Sequence, residues 1–350
     1  MNAERNYGVD LLRLVLMFMV CVLHTLGQGG IIAASTDGTL NSDIYLLLDI
    51  IACCAVDGFA LISGYMAKDK PRKYEKLTEM WFQAFFYSFV VTLILTVVGI
   101  NQSWGIVEII KCALPVTSSK TWYFTAYFVL FLAAPFLNKF LFAMEDAASK
   151  KMLIILVVLF SGLGIVSDPF KTQNGYSVIW LVVLYCIGVL AQRIKLFEKK
   201  KNLTLVIMWA GCVAAAWIVR IVTGKGILTY YISPTVLLSG LIMVILFSRF
   251  KLKGKIISKL SPFAFGVYLF QSNQVIWNNI LKDRFTFVAE KNILLGVLLV
   301  FAFASLIFVS GITVDFIRSR IAKLIRIPSL CKLIVGLADK CLAKLFVLLK

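Results

Sequence analysis

The chain has 350 residues, of which 60% are apolar and 15% are charged, and its mean hydropathy is +0.90. These values exclude an ordinary soluble domain and indicate a membrane protein. At about 20 residues per crossing, the apolar content suffices for roughly ten transmembrane helices. The net charge of +18 then indicates basic cytoplasmic loops, not a nucleic-acid-binding surface.

Ten apolar runs, separated by charged or Gly/Pro-rich breaks, predict an all-α polytopic helix bundle. Their predicted starts lie near Tyr7, Ser42, Met80, Trp122, Met152, Val178, Leu203, Ile232, Pro262 and Ile293. If the N-terminus is cytoplasmic, the inner segments hold 26 Lys and Arg residues and the outer loops hold seven. This asymmetry predicts that both termini are cytoplasmic.

The first predicted helix carries three ionisable residues, Asp10, Arg13 and His24. They interrupt the apolar run, which we therefore interpret as a membrane helix and not as a signal peptide. At 100° per residue, His24 lies about 20° from Arg13 and about 40° from Asp10, so all three share one face. The step from Arg13 to His24 is about 16 Å along the axis. An extended polar ligand is predicted to bridge them. In the alternative interpretation, Asp10 and Arg13 form an ion pair that snorkels inward, and His24 makes an interfacial hydrogen bond.

The second predicted helix contains Asp43, Asp49 and Asp57 and ends in Ser-Gly-Tyr. A carboxylate at membrane depth needs a partner. The candidate partners of Asp57 are Arg13, His24 and Arg220. A buried pair that only fixes helix packing is the alternative to a functional role.

The C-terminal tail, residues 317–350, alternates basic residues with Leu, Ile and Val and is interrupted by Pro328. This pattern predicts short amphipathic helices on an anionic inner leaflet. We therefore divide the chain into a transmembrane domain, residues 1–316, and a cytoplasmic basic tail, residues 317–350.

The segment 8–13 (GVDLLR), ten further residues, His24 and the segment 56–65 (VDGFALISGY) together resemble the acyltransferase 3 family of integral membrane acyltransferases. The resemblance covers essentially the whole chain, with weaker similarity around Trp122 and in the segment 261–271. The sequence departs from the family pattern at two positions: Ala60 replaces a common second Phe, and Gln271 stands where many members carry another histidine. A mechanism that needs two histidines is therefore in doubt.

The resemblance implies an O-acyltransferase of the cell (inner or cytoplasmic) membrane. Such an enzyme transfers an acyl group, usually acetyl, from cytoplasmic acyl-CoA to a hydroxyl of an envelope carbohydrate or glycan precursor. The resemblance thus implies acetyl-CoA as the co-substrate and the lipid bilayer as the environment in which the enzyme is embedded, and it implies no metal.

The candidate donor-binding residues follow from this chemistry, because coenzyme A is polyanionic and basic groups bind phosphate. They are Arg13, Arg72, Lys73 and Lys76. Ordinary positive-inside topology also explains the last three. Where family members often carry an Arg-x-x-Arg pair, residues 72–76 read RKYEK, so the positive charge is kept as lysine but the bidentate guanidinium fork is lost.

His24 is the only histidine, and an unperturbed imidazole suits a general base at neutral pH. Asp10 or Asp57 would support the His24 imidazole electrostatically.

The candidate acceptor-binding residues are Trp122, Tyr123, Tyr268 and Gln271. An interfacial aromatic belt and interhelical hydrogen bonding are the alternatives for these four. A transporter of a small polar solute, such as an amino acid, is the alternative function, since buried ionisable groups also suit proton relays.

Overall fold

The computed structural model describes residues 5–70, 73–101, 105–117, 121–252 and 254–348. Throughout these ranges the regular elements are helical, which confirms the predicted all-α class. The α-helices are α1 Tyr7–Leu26, α2 Ile31–Ala34, α3 Leu40–Tyr65, α4 Tyr74–Phe85, α5 Thr92–Val97, α6 Ile106–Ala113, α7 Trp122–Ala143, α8 Asp146–Leu156, α9 Val178–Arg193, α10 Asn202–Thr223, α11 Pro234–Ser248, α12 Lys255–Leu260, α13 Ala264–Gln271, α14 Ile293–Leu324 and α15 Ile327–Leu348.

Seven helical segments in the described ranges are long and apolar enough to cross a membrane. They are Tyr7–Ala34, Leu40–Tyr65, Tyr74–Val97, Trp122–Ala143, Asp146–Ile165, Asn202–Thr223 and Ile293–Leu324. The apolar helices α9 and α11, with 16 and 15 residues, are shorter than the roughly 20 residues of a full crossing. The chain is thus a multi-pass membrane protein, while the count of ten crossings and the cytoplasmic termini stay predictions.

The ninth predicted helix is broken into two parts. α13 ends at Gln271, and a π-helical turn follows at Ile276–Leu281. Between them, the side-chain oxygen of Asn273 accepts hydrogen bonds from two backbone amides at 3.0 and 3.2 Å. This oxygen satisfies groups that the break leaves without helical partners, as a buried backbone requires. Gln271 and Trp277, on either side of the break, both contact α1.

α1 packs against α3, α11, α13 and α14. A short connection through α2 makes α3 antiparallel to it. At one end of the bundle, the Asn6 side chain donates to the Ser248 carbonyl oxygen at 2.8 Å. At the other end, the Gln28 side chain donates to the Trp277 carbonyl oxygen at 3.0 Å. We refer to these as the Asn6 end and the Gln28 end.

Two glycines let α3 and α9 touch through their backbones. A Cβ added at Gly64 would clash with the Tyr185 carbonyl oxygen, and one at Gly188 would clash with the Leu61 carbonyl oxygen. Small residues at such crossings are the usual means of close helix packing in lipid. The Ser-Gly-Tyr end of the second predicted helix is therefore a packing site, and it fixes α9 in the core.

The tail is broken where Pro328 predicts a break. α14 ends at Leu324, Arg326 has a φ of 60°, and Pro328 lies in the first turn of α15, where a missing backbone N–H costs no helical hydrogen bond. After the break the tail forms one helix of 22 residues instead of several short ones. α14 is continuous across the proposed domain boundary at residue 316. α15 packs on α4, and Cys331 is fully buried.

Candidate active site

A cavity of about 760 Å³ runs beside α1, within the size range of small-molecule sites. From α1 and the two residues after it, the cavity is lined by residues 13, 17, 20, 23, 24, 27 and 28. Their spacing of mostly three or four residues defines one helix face. The face that the sequence singles out is therefore the face that borders the cavity, with Arg13 towards the Asn6 end and His24 towards the Gln28 end.

Asp10 lies outside the cavity lining and anchors Arg13 instead of reaching His24. Its carboxylate accepts from Arg13 Nη1 at 2.7 Å, from Arg5 Nε at 2.5 Å and from Ser261 Oγ at 3.2 Å. Asp10 is buried, whereas Arg13 borders the cavity. The ion-pair interpretation of Asp10 and Arg13 is thus the one observed. Fourteen residues of helix, about 21 Å, separate Asp10 from His24.

His24 is held at the Gln28 end by two residues that flank the break after α13. Its Nδ1 lies 3.0 Å from Gln271 Oε1, and its ring meets the Trp277 ring edge-on at a centroid distance of 4.7 Å. Gln271 is fully buried and also contacts the Met17 sulfur through Nε2. With Oε1 as acceptor, Nδ1 carries the proton, and the lone pair is on Nε2. Gln271 therefore orients His24 from outside the cavity lining.

Asp57 pairs with none of its three candidate partners, so that prediction is wrong. Its Oδ1 accepts from the indole Nε1 of Trp180 at 3.0 Å. Its Oδ2 is buried and has no hydrogen-bond partner among the described residues. Arg220, one of the candidates, instead donates to the Gly224 carbonyl oxygen at 2.5 Å. Asp57 is fully buried and does not line the cavity, so nothing places it beside His24.

Asp49, also on α3, lines the cavity and was not selected from the sequence. It is the one acidic residue among the described lining residues. The Cys53 thiol, on the same helix, donates to Asp49 Oδ2 at 3.9 Å. Asp49 and Asp57 are eight residues apart, about 80° around the helix and about 12 Å along it, and the sequence does not indicate which of the two positions borders a cavity.

Aromatic residues from three separate loops and helices meet around the Gln28 end of the cavity. The rings of Trp122 and Tyr176 are 4.8 Å apart, and those of Tyr176 and Tyr231 are 5.0 Å apart. All three, with Tyr230, line the cavity. Burial raises the pKa of Tyr231 well above its usual range, so this hydroxyl stays protonated. Flat aromatic faces with hydroxyl groups can pack against a sugar ring and form hydrogen bonds to its hydroxyls.

Tyr123 and Tyr268 line the same cavity, with ring centroids 6.0 Å apart. The hydroxyls of both are buried and lack hydrogen-bond partners among the described residues. Buried hydroxyls are almost always satisfied, so an unpaired hydroxyl at a cavity wall is available to water or to a ligand.

Among the candidate donor-binding residues around the start of α4, Lys73 and Lys76, which the structure describes, do not line the cavity. Lys73 caps α4, and Lys76 lies in its first turn, one turn before the cavity-lining Met80. Residues one turn apart share a helix face, so Lys76 lies close to the cavity wall at Met80. Arg72 lies outside the described residues.

A third buried carboxylate, that of Asp315 on α14, was not predicted from the sequence. It accepts from Gln83 at 2.9 Å, from Tyr87 at 3.2 Å and from Arg318 Nε at 2.5 Å. A Cβ at Gly266 would clash with it, so α13 lies directly against this carboxylate. The Asp-x-x-Arg spacing repeats that of Asp10 and Arg13 and could have revealed it. The described residues contain no group of three or more His, Cys, Asp or Glu that could hold a metal.

The fold and the cavity define a multi-pass membrane protein with a small-molecule site among its helices. Residues 6–315 match the family model described as an acyltransferase domain, that of acyltransferase 3. The chain therefore belongs to the acyltransferase 3 family, and this membership supports acyltransferase activity but not the transporter alternative. No curated protein and no solved structure matches the chain.

Proposed function

We propose that this protein transfers an acyl group, which we take to be acetyl, from cytoplasmic acyl-CoA to a hydroxyl of a cell-envelope carbohydrate. The observation that carries this proposal is a single cavity bordered by Arg13 near one end and His24 near the other. The excess of Lys and Arg in the predicted cytoplasmic segments over the outer loops supports an orientation in the inner membrane in which the Asn6 end faces the cytoplasm.

The Asn6 end suits the donor's phosphates. Arg13 borders the cavity and is fixed by Asp10, so its guanidinium is pre-oriented. Lys76, one turn from the cavity wall at Met80, adds positive charge near this end. The distance of about 16 Å from Arg13 to His24 is comparable to the length of a pantetheine arm. The thioester would then lie near His24.

At the Gln28 end, His24 would act as the general base. Its Nε2 takes the proton of the acceptor hydroxyl while that oxygen attacks the thioester carbon. The C–S bond then breaks, and the sulfur leaves as the thiol of coenzyme A after it takes up the proton. The unpaired hydroxyls of Tyr123 and Tyr268 are suited to donate to the carbonyl oxygen as negative charge develops on it.

The aromatic cluster of Trp122, Tyr176, Tyr230 and Tyr231 supports a carbohydrate acceptor. Sugar rings present C–H faces that pack on aromatic rings, and their hydroxyls bond to tyrosine. Gln271 would act through His24, since it contacts the ring and does not line the cavity.

The test uses purified protein in nanodiscs with radiolabelled acetyl-CoA and envelope glycan fragments whose O-acetyl groups have been removed by mild alkali. We expect glycan-dependent release of coenzyme A and label in the glycan. His24→Ala should lower kcat about 10²- to 10⁴-fold, the usual contribution of a general base. Cys341→Ala, which changes an exposed residue on α15, is the matched control. Full activity in folded His24→Ala would refute the proposed base, and solute uptake without acetyl-CoA would favour transport.

A further inference from the structure

The charges that line the cavity are unevenly distributed. Among the described lining residues, Asp49 is the one acidic group, and Arg13 is the one group with a permanent positive charge. Arg13 is neutralised locally by Asp10, at 2.7 Å. Asp49 has no ion pair of this kind, although Arg220 on α10 interacts with it electrostatically. The Asp49 carboxylate therefore faces the cavity as its principal negative charge.

The register of α1 and α3 places Asp49 at the depth of His24. Gly58 packs against Leu16, because a Cβ there would lie 2.6 Å from Leu16 Cδ1. From this contact towards the Gln28 end, His24 lies eight residues along α1 and Asp49 nine residues along α3. At 1.5 Å per residue these steps are about 12 and about 13.5 Å. Asp57, adjacent to the contact, is about 10 Å from that depth.

His24 and Asp49 lie in different walls of the cavity. His24 packs against Trp277 and Gln271, whereas Asp49 lies beside Cys53 and interacts electrostatically with Tyr231. Both border one cavity. A ligand that occupies this end of the cavity therefore has both the His24 imidazole and the Asp49 carboxylate in its walls.

Cations do not offset Asp49 within this part of the cavity. In the described ranges, no lysine lines the cavity, and the single arginine that lines it, Arg13, lies towards the Asn6 end. Lys171 and Lys225, in nearby loops, are exposed and outside the lining. Arg220, which interacts with Asp49 electrostatically, lies outside the lining. An anionic ligand at this end would therefore meet the carboxylate with no cation in the cavity wall beside it, and like charges in such a site are unfavourable.

We infer that Asp49 binds a hydroxyl of the acceptor, next to the hydroxyl that His24 deprotonates, and that it selects uncharged sugars over acidic ones. This inference rests on the proposed function and narrows its substrate class to neutral polyhydroxyl acceptors. The carboxylate accepts hydrogen bonds from sugar hydroxyls and repels uronate and phosphate groups. The same repulsion keeps the phosphates of the donor away from the acceptor end.

The test compares matched acceptors that differ in one group. Purified full-length protein in nanodiscs is given radiolabelled acetyl-CoA with methyl glucoside or methyl glucuronide, and with methyl galactoside or methyl galacturonide. We expect kcat/KM for each neutral sugar to exceed that for its uronate about tenfold or more, the scale of one hydrogen bond to a charged group. In Asp49→Asn, KM for the neutral sugars should rise about tenfold, and the preference over uronates should fall by a similar factor.

Asp43→Asn is the matched control, because it removes one negative charge from the first turn of the same helix, outside the cavity lining. It should leave the preference for neutral sugars unchanged. Equal use of neutral and acidic sugars by the wild type, or an unchanged preference in folded Asp49→Asn, overturns the inference while transfer itself persists. Absence of acetyl transfer from wild-type protein to all four sugars and to de-O-acetylated envelope glycan overturns the proposed function, and this inference with it.

Discussion

Gln271 fixes the imidazole of His24 through a hydrogen bond of 3.0 Å between Oε1 and Nδ1, across 247 residues of sequence. The Trp277 ring, edge-on at 4.7 Å, restricts rotation of the same imidazole. Both residues flank the break in the segment after α13, so this irregular backbone supplies the contacts that position His24. Irregular backbone at membrane depth is tolerated where it borders a cavity, as here.

Replacement of Gln271 with leucine should impair catalysis without removing any group that touches the substrate. The imidazole then loses its Nδ1 acceptor and the preferred tautomer, and we expect kcat to fall about 10- to 100-fold, as for other residues that orient a functional histidine. Steady-state acetyl transfer measures this. Gln271→His, which keeps a hydrogen-bonding group, should retain more activity than Gln271→Leu. Equal loss in both variants, with unchanged folding, would argue against the orienting role.

Loss of Arg13 should weaken donor binding more than chemistry. In Arg13→Ala we expect KM for acetyl-CoA to rise about tenfold, because one charge-assisted hydrogen bond to the donor disappears. Asp10 keeps Arg5 and Ser261 as partners, so the helix should remain folded. Arg13→Lys preserves the charge but not the planar fork and should be intermediate. An unchanged donor KM in Arg13→Ala would exclude this part of the donor path.

The hydroxyls of Tyr123 and Tyr268 should matter for rate and not for stability. Tyr123→Phe and Tyr268→Phe remove hydroxyls that have no hydrogen-bond partner among the described residues, so the melting temperature should stay the same or rise. We expect kcat to fall about 10- to 100-fold in each, if the hydroxyl stabilises developing negative charge.

Tyr45→Phe provides the opposite control, since the buried Tyr45 hydroxyl donates to the Val288 carbonyl oxygen at 3.2 Å. That variant should lose about 1 kcal/mol of stability and keep its kcat. If Tyr123→Phe and Tyr268→Phe behave like Tyr45→Phe, their hydroxyls have structural roles.

The contact between α3 and α9 should be sensitive to a single methyl group. Gly64→Ala introduces a Cβ that would clash with the Tyr185 carbonyl oxygen. We expect destabilisation of about 1–3 kcal/mol or more, the range for an overpacked core. Thermal unfolding in detergent measures it. Gly211→Ala, on α10 with open space around the added Cβ, should be neutral or stabilising by up to about 1 kcal/mol. Similar melting temperatures for the two variants would contradict the packing account.

The functional face of α1 could be predicted because it depends only on local geometry. The period of the helix and its rise per residue fix the relative positions of Arg13 and His24 once the segment is helical. The i, i+3 contact of Asp10 with Arg13 was predictable for the same reason, and it emerged as the alternative to a bridging ligand. The family membership was likewise predictable from motifs on the first two helices.

Contacts between distant segments could not be predicted from local patterns. Trp180, the partner of Asp57, is 123 residues away, and an indole was not among the cation and histidine candidates. The choice between Asp49 and Asp57 depends on which part of α3 borders the cavity, which only the packing of α1 and α3 determines. The break before Pro328 was predictable, because a proline prevents the preceding helix from continuing through it.

The central claim is that the cavity beside α1 carries the acyl donor from the Asn6 end to His24. A cryo-EM map of the protein in nanodiscs, with a non-hydrolysable thioether analogue of acetyl-CoA, tests it most directly. The account predicts continuous density along the α1 face, with the nucleotide at the Asn6 end beyond Arg13 and the thioether sulfur close to His24. Nucleotide density at the Gln28 end, or an analogue bound away from α1, would contradict it.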